Sequence, residues 1–161
     1  SVVSQDVQVF AWKAAVKSGS PLTPGLQVQS YEIEAKSTES LTGAVPVKTS
    51  FVNTIDTRPC TRPENAGLRY EGFLKIEDEG LYTFSLVSDD GSRLWLDDEE
   101  CINHDGLHGN DEKKGLIALK KGLHKFRLDY IQATGGSDLQ LRYGKYQQPL
   151  TVLPARQLFH K

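Results

Sequence analysis

Between Gly67 and Tyr143, apolar residues return at every second position in short runs separated by turn-forming residues. Leu68, Tyr70, Leu74 and Ile76 fall on one side of Gly67–Ile76, with Gly72 in the same phase. Tyr82, Phe84 and Leu86 share a side of the next run, after Glu77-Asp78-Glu79-Gly80. Leu94 and Leu96 pair on Ser92–Asp97, with Arg93 and Trp95 opposite. Lys114–Leu119 is closed by Lys120-Lys121-Gly122; Phe126, Leu128 and Tyr130 then align on one side of a further run, and Leu139, Leu141 and Tyr143 on the last. A period of two between Gly, Asp and Asn turns predicts an antiparallel β-sandwich or barrel.

The first sixty residues are less regular. Gln27–Ala35 reads as a strand, and Val7–Val16 suits a strand or a short helix. Ser18–Gly25 and Thr57–Gly67 carry prolines and read as loops. There is no repeat, no low-complexity stretch and no long amphipathic helix, so a helical bundle or a Rossmann arrangement is a poor fit.

Length and composition add bounds. At 161 residues the chain suits one domain over residues 1–161, large enough for a real core. Its hydrophobic fraction of 38% and charged fraction of 25% are those of a globular chain. A net charge of −2 with scattered lysines and arginines argues against nucleic acid or an anionic membrane as partner. No apolar run is long enough to insert into a bilayer. The absence of methionine suggests a mature or excised fragment, in which a targeting segment is not expected. Cys60 and Cys101 lack zinc-binding spacing; they are either one disulfide or two free buried thiols.

The candidate chemistry concentrates in residues 88–109. Asp89 and Asp90 stand together in a tight turn, Ser88-Asp89-Asp90-Gly91-Ser92. Neighbouring carboxylates repel, and a hard cation such as calcium relieves that with oxygen ligands. The plainer alternative is a turn whose carboxylates accept backbone N–H bonds. His104 and His108 flank Asp105-Gly106, which breaks any helix, so a structural or ligand-contacting loop is favoured over zinc. No nucleophile motif or phosphate loop is visible. Adjacent aspartates do not give the separated carboxylates of a glycosidase, and Asp97-Asp98-Glu99-Glu100 reads as a solvated hairpin tip.

Several of these segments resemble, in the right order, the anthrax protective-antigen-type (PA-fourteen) domain. They are Tyr70-Glu71-Gly72-Phe73-Leu74, Gly80-Leu81-Tyr82-Thr83-Phe84, Ser88-Asp89-Asp90-Gly91-Ser92-Arg93-Leu94 and Asn103-His104-Asp105-Gly106-Leu107-His108-Gly109. Lys121-Gly122-Leu123-His124, Gly135-Gly136 and Leu153-Pro154-Ala155-Arg156 fit the same pattern. The resemblance is strongest over residues 67–145 and implies an antiparallel β-sandwich. Such domains are carried by secreted glycosidases, toxins and adhesins. The His-Asp-Gly-Leu-His-Gly loop looks most like copies at the C-terminal end of bacterial β-hexosaminidase-like enzymes.

In the sugar-binding members of that family, a cis-linked Asp-Asp pair holds calcium, and calcium holds sugar hydroxyls. The resemblance therefore implies a calcium site at Asp89 and Asp90, with the Gln132 amide and the Thr134 and Gly136 carbonyls. Gln132 stands where those relatives carry asparagine, and the loop lacks their aromatic residue. Asp105, His108 and Trp95 would line the sugar, although Trp95 equally suits packing and the two loop residues equally suit ordering of the loop. The expectation is a non-catalytic carbohydrate-binding module, outside the cell, at its surface or in the periplasm. Its partners would be a glycan and the catalytic domain of a parent glycoside hydrolase. The alternative is a structural domain that packs on its host enzyme without binding free sugar.

Overall fold

The computed structural model describes residues 21–161 in full and the backbone of Trp12 and Lys13. The expectation at Val7–Val16 otherwise lies outside the described residues. The strands are β1 (Trp12–Lys13), β2 (Thr23–Pro24), β3 (Leu26–Glu32), β4 (Lys48–Val52), β5 (Ala66–Ile76), β6 (Gly80–Asp89) and β7 (Ser92–Leu96). They continue with β8 (Glu99–His104), β9 (Asp111–Leu119), β10 (Gly122–Gln132), β11 (Asp138–Lys145), β12 (Thr151–Val152) and β13 (Leu158–His160). Two short 3-10 turns cover Thr38–Leu41 and Ala155–Gln157.

The strands form two sheets. One runs β1-β9-β6-β11-β12, and the other runs β2-β13-β5-β10-β7-β8, with β3 also on β5 and β4 on β3. Pairing is antiparallel except between β1 and β9. The apolar side of each long strand faces the opposite sheet. Leu68, Tyr70, Leu74, Leu94, Leu128 and Tyr130 from one sheet and Phe84 and Leu86 from the other are fully buried in one core. A burial period of two on both sheets is what makes this an all-β sandwich. A smaller cluster of Tyr31, Ala35, Leu41 and Ile131 lies under the first 3-10 turn. Among the described residues, no helix is long and apolar enough to cross a membrane. Cys60 and Cys101 are free, with burial pushing their thiols up to about 11 and about 12.

Two strands depart from the sequence reading. β4 is an edge strand whose Lys48, Thr49 and Phe51 are exposed, so it has no apolar alternation to detect. The acidic run is not one solvated tip. Asp97 and Asp98 alone form the turn, with φ of 53° and 63°, and Glu99 and Glu100 already belong to β8. Two successive positive φ values match the right-handed twist of the flanking strands.

Asp97 also has a packing role. Its carboxylate accepts a bond from the Lys125 N–H (2.8 Å) and sits 2.6 Å from Nδ1 of the fully buried His124. His124 Nε2 is 2.7 Å from the Lys120 carbonyl. Burial alone would lower the His124 pKa, but these two acceptors carry it above the ordinary histidine value. The resulting stability is fully present below about pH 6.5 and is lost as pH rises through the raised folded-state value. Thermal melts of His124→Gln across this range are expected to lack that decline. An unchanged pH profile would assign the decline to another group.

Candidate functional site

The chain passes between the two sheets three times at one end of the sandwich. β6 leads into β7 through Asp89-Asp90-Gly91, β8 into β9 through residues 105–110, and β10 into β11 through residues 133–137. Register brings these crossings together: Asp89 opposes Asp138, Ser88 opposes Asp111, and Ser92 opposes both Tyr130 and His104. Ser88 Oγ and Ser92 Oγ meet at 2.6 Å across the first crossing. The Asp89-Asp90 peptide is cis.

The two carboxylates have different surroundings. Asp90 is buried, and its oxygens accept the His108 N–H (3.2 Å) and the Ala133 N–H (2.9 Å). It therefore ties the second and third crossings to the first. Its own N–H donates to the Ile131 carbonyl, and Ile131 N–H returns a bond to Gly91 O at 2.9 Å. Among the described residues, no backbone N–H reaches the Asp89 carboxylate. Burial and the neighbouring Asp90 charge raise the Asp89 pKa, with Asp138 adding to this and His108 opposing it. The Asp89 carbonyl is held by the hydroxyl of fully buried Tyr130 at 2.5 Å.

Gln132 and Gly136 come to the same end. A Cβ on Gly136 would stand 3.5 Å from Asp89 Oδ2, so the third crossing runs against that carboxylate. Gln132 is buried; its Nε2 donates to the Gly135 carbonyl at 3.0 Å, while its Oε1 is buried without a hydrogen-bond partner. The residues on either side of Gln132 bond Asp90, and a buried amide oxygen without a partner at the same end as two carboxylates is a donor type suited to a hard cation. Thr134 lies exposed in the same loop. Among the described residues, no three His, Cys, Asp or Glu side chains are placed to hold a metal ion, so any cation here rests on oxygens from amide and carbonyl groups as well.

The other expected residues divide. Asp105 uses Oδ1 to accept the Thr38 and Gly106 N–H groups, both at 2.8 Å, and Oδ2 to accept the Thr38 hydroxyl at 2.9 Å. His108 places Nδ1 2.7 Å from Gly109 O and Nε2 2.8 Å from His104 O, and its ring stacks on His104 at 4.2 Å. Both side chains are engaged in ordering the second crossing; Leu107 between them is 52% exposed. Trp95 is not with this group. It lies on the outer face of the eight-stranded sheet, with the Arg127 and Arg93 guanidinium carbons 4.2 and 4.6 Å from its ring centroid. Its phase against Leu94 and Leu96 sets that face, and the phase is read correctly from sequence while the location is not.

Sequence reasoning missed two supports. Glu64 accepts the Gly135 N–H at 2.9 Å and so grips the third crossing from the segment before β5. Gly91 is the second: a Cβ there would meet Gly106 O at 2.5 Å and Gly106 N at 2.7 Å. A glycine directly after the aspartate pair was the available signal for that close approach.

Comparison with known proteins agrees with the architecture. Anti-sigma-I factor RsgI3 of Acetivibrio thermocellus is 27% identical over 93 residues, which cover 57% of this chain and 14% of that protein. The chain thus spans about a seventh of that curated relative. An anti-sigma factor domain-containing protein superposes with a TM-score of 0.75 at 20% identity, over 88% of this chain and 49% of that one. A PA14 sugar-binding domain from an RTX adhesin superposes with a TM-score of 0.73 at 17% identity, over 86% and 99% of the two chains. With two sheets joined by crossings at one end, and a family profile matched over residues 22–155, the chain belongs to the PA14 domain family.

Proposed function

We propose that this PA14 domain is a non-catalytic carbohydrate-binding module that holds its sugar through calcium at the Asp89-Asp90 crossing. The observation that carries the proposal is the buried, unpartnered Gln132 Oε1 on a strand end whose flanking residues, Ile131 and Ala133, both bond Asp90 through their backbones. Asp89 and Asp90 would supply the charge, Gln132 the amide oxygen, and Thr134 and Gly136 backbone oxygens from the exposed loop. Calcium, when bound, supplies open positions that sugar hydroxyls can take. The chain's own part is to hold these oxygens in place: Asp90 ties the three crossings, Tyr130 fixes the Asp89 carbonyl, and Glu64 with Gln132 fixes Gly135. The adhesin domain of the same fold, described as sugar-binding, supports the ligand class.

The host is proposed to work where glycans are met, outside the cell, at its surface or in the periplasm. The sequence expectation of a parent β-hexosaminidase gives way to a wider one, since the curated relative is an anti-sigma factor and this chain matches only a small part of it. We infer a host that uses the module to find polysaccharide, whether it cleaves the glycan or senses it. Tethering would raise the effective concentration of glycan at the host without any chemistry in this domain.

The test is a glycan array probed in calcium and again in EDTA. Binding that disappears in EDTA is the expected result. Binding that survives EDTA would keep the sugar and remove calcium from the proposal. A blank array in both buffers would overturn it.

A further inference from the structure

We propose a second saccharide site, independent of the first, in a groove on the outer face of the eight-stranded sheet. The groove has a volume of about 390 Å³, and Gln27, Glu71, Phe73, Trp95, Lys125 and Arg127 are among its lining residues. That volume lies within the range of small-ligand sites.

The groove follows from a branch in the sheet. One edge of β5 is shared by two strands: β13 pairs at Phe73 and Leu74, and β3 takes over at Glu71. Gly72 stands at the change, where a Cβ would collide with the Phe159 carbonyl oxygen. The two strands part there, and the outer face is left concave rather than flat.

Register then lays out one row of side chains across four strands. Gln27 opposes Glu71, Glu71 opposes Arg127, and Arg127 opposes Trp95. At the usual strand spacing the row spans about 14 Å, the reach of a short oligosaccharide. In the next row Arg69 bonds Asp129, Arg93 bonds Glu100 while its Nε is buried without a partner, and Gln29 accepts the Tyr31 hydroxyl. The first row differs. Gln27 and Glu71 make no side-chain hydrogen bond among the described residues, and Glu71 is exposed. Trp95 is held in one orientation against Arg127, which Asp129 fixes in turn.

An indole packed by the Arg93 and Arg127 guanidinium groups, beside a carboxylate and an amide that make no side-chain hydrogen bond among the described residues, suits a pyranose on the part of the ring that lines the groove. Its C–H face packs on the indole, and its hydroxyls donate to Glu71 and exchange bonds with Gln27. Lys125 is paired with Asp98 at 2.8 Å and Arg127 with Asp129 at 2.7 Å, which leaves Glu71 and Lys161 as one charge of each sign in the lining, so a neutral sugar is favoured over an ionic ligand. The row is also far smaller than the roughly 800 Å² per partner that a stable protein interface buries.

The test is NMR titration of the labelled domain in EDTA with tetrasaccharides of cellulose, xylan, mannan, chitin and β-1,3-glucan. At least one is expected to shift the Trp95 indole N–H and the Gln27 side-chain amide. Glu71→Gln, an exposed change that keeps the fold, is expected to weaken that binding about tenfold, and Asp89→Ala to leave it unchanged. Shifts confined to residues 89–90, 105–108 and 132–136 would overturn this site and leave the first standing. No shift at Trp95 or Gln27 with any probe, or equal binding by Glu71→Gln, would also overturn it.

Discussion

Asp89→Asn is expected to abolish the rise in melting temperature that calcium gives the wild-type domain. Calcium at a hundredfold excess over its dissociation constant adds about 2.7 kcal/mol to the folded state. For a chain of this length that is a rise of roughly 5–10 °C. Asparagine keeps the shape and removes the charge, and a neutral amide is a weaker calcium ligand than a carboxylate.

In EDTA the same substitution is expected to act in the opposite direction. The Asp89 pKa is raised by burial and by Asp90, so the folded state binds its proton more tightly than the unfolded chain does. The stability linked to this proton is fully present below the unfolded carboxylate pKa and lost as pH rises through the raised folded value. At neutral pH, wild-type Asp89 is therefore a burden that asparagine lifts. Asp90→Asn is expected to differ, because Asp90 accepts two backbone N–H bonds that hold the crossings together. It should cost about 1.5–3 kcal/mol even in EDTA. Calcium raising the melting temperature of wild type and Asp89→Asn equally would place the ion elsewhere.

This division of labour between adjacent aspartates was not legible in the sequence. The strands were, wherever one side of a strand packs between the sheets: Leu68, Tyr70 and Leu74, or Tyr82, Phe84 and Leu86, alternate because their neighbours face away from the core. β4 escaped because an edge strand needs no apolar side, and β8 because its first residues are Glu99 and Glu100. The family motifs pointed to the Asp89-Asp90 turn, Gln132 and Gly136, which the fold brings to one end of the sandwich. They carried no information on strand order, and it is the order β9-β6-β11 beside β5-β10-β7-β8 that stacks three crossings at one end. That same order separates Trp95 from Asp90, although only four residues lie between them in sequence. A side chain on the outer face, several strand residues from the crossing, belongs to a different surface.

The outer face also holds the largest expected stability effect of a single polar substitution. Asp129 is fully buried in the middle of β10, and its carboxylate takes both Arg69 (2.9 and 3.0 Å) and Arg127 (2.7 Å at its nearest). Arg69 is itself only 13% exposed at its side chain. Asp129→Ala leaves two guanidinium groups facing each other with no counter-charge, and Arg69 with little water to replace it. The expected loss is about 3 kcal/mol, or a melting temperature lower by roughly 6–12 °C. The cost comes from the stranded charges rather than from the lost attraction. Changing Arg69, Arg127 and Asp129 together to Met, Met and Leu is therefore expected to recover most of it. A loss below about 1 kcal/mol for Asp129→Ala would mean that water screens this network as it does an exposed ion pair. The arginine beside Trp95 would then be held by the indole rather than by Asp129.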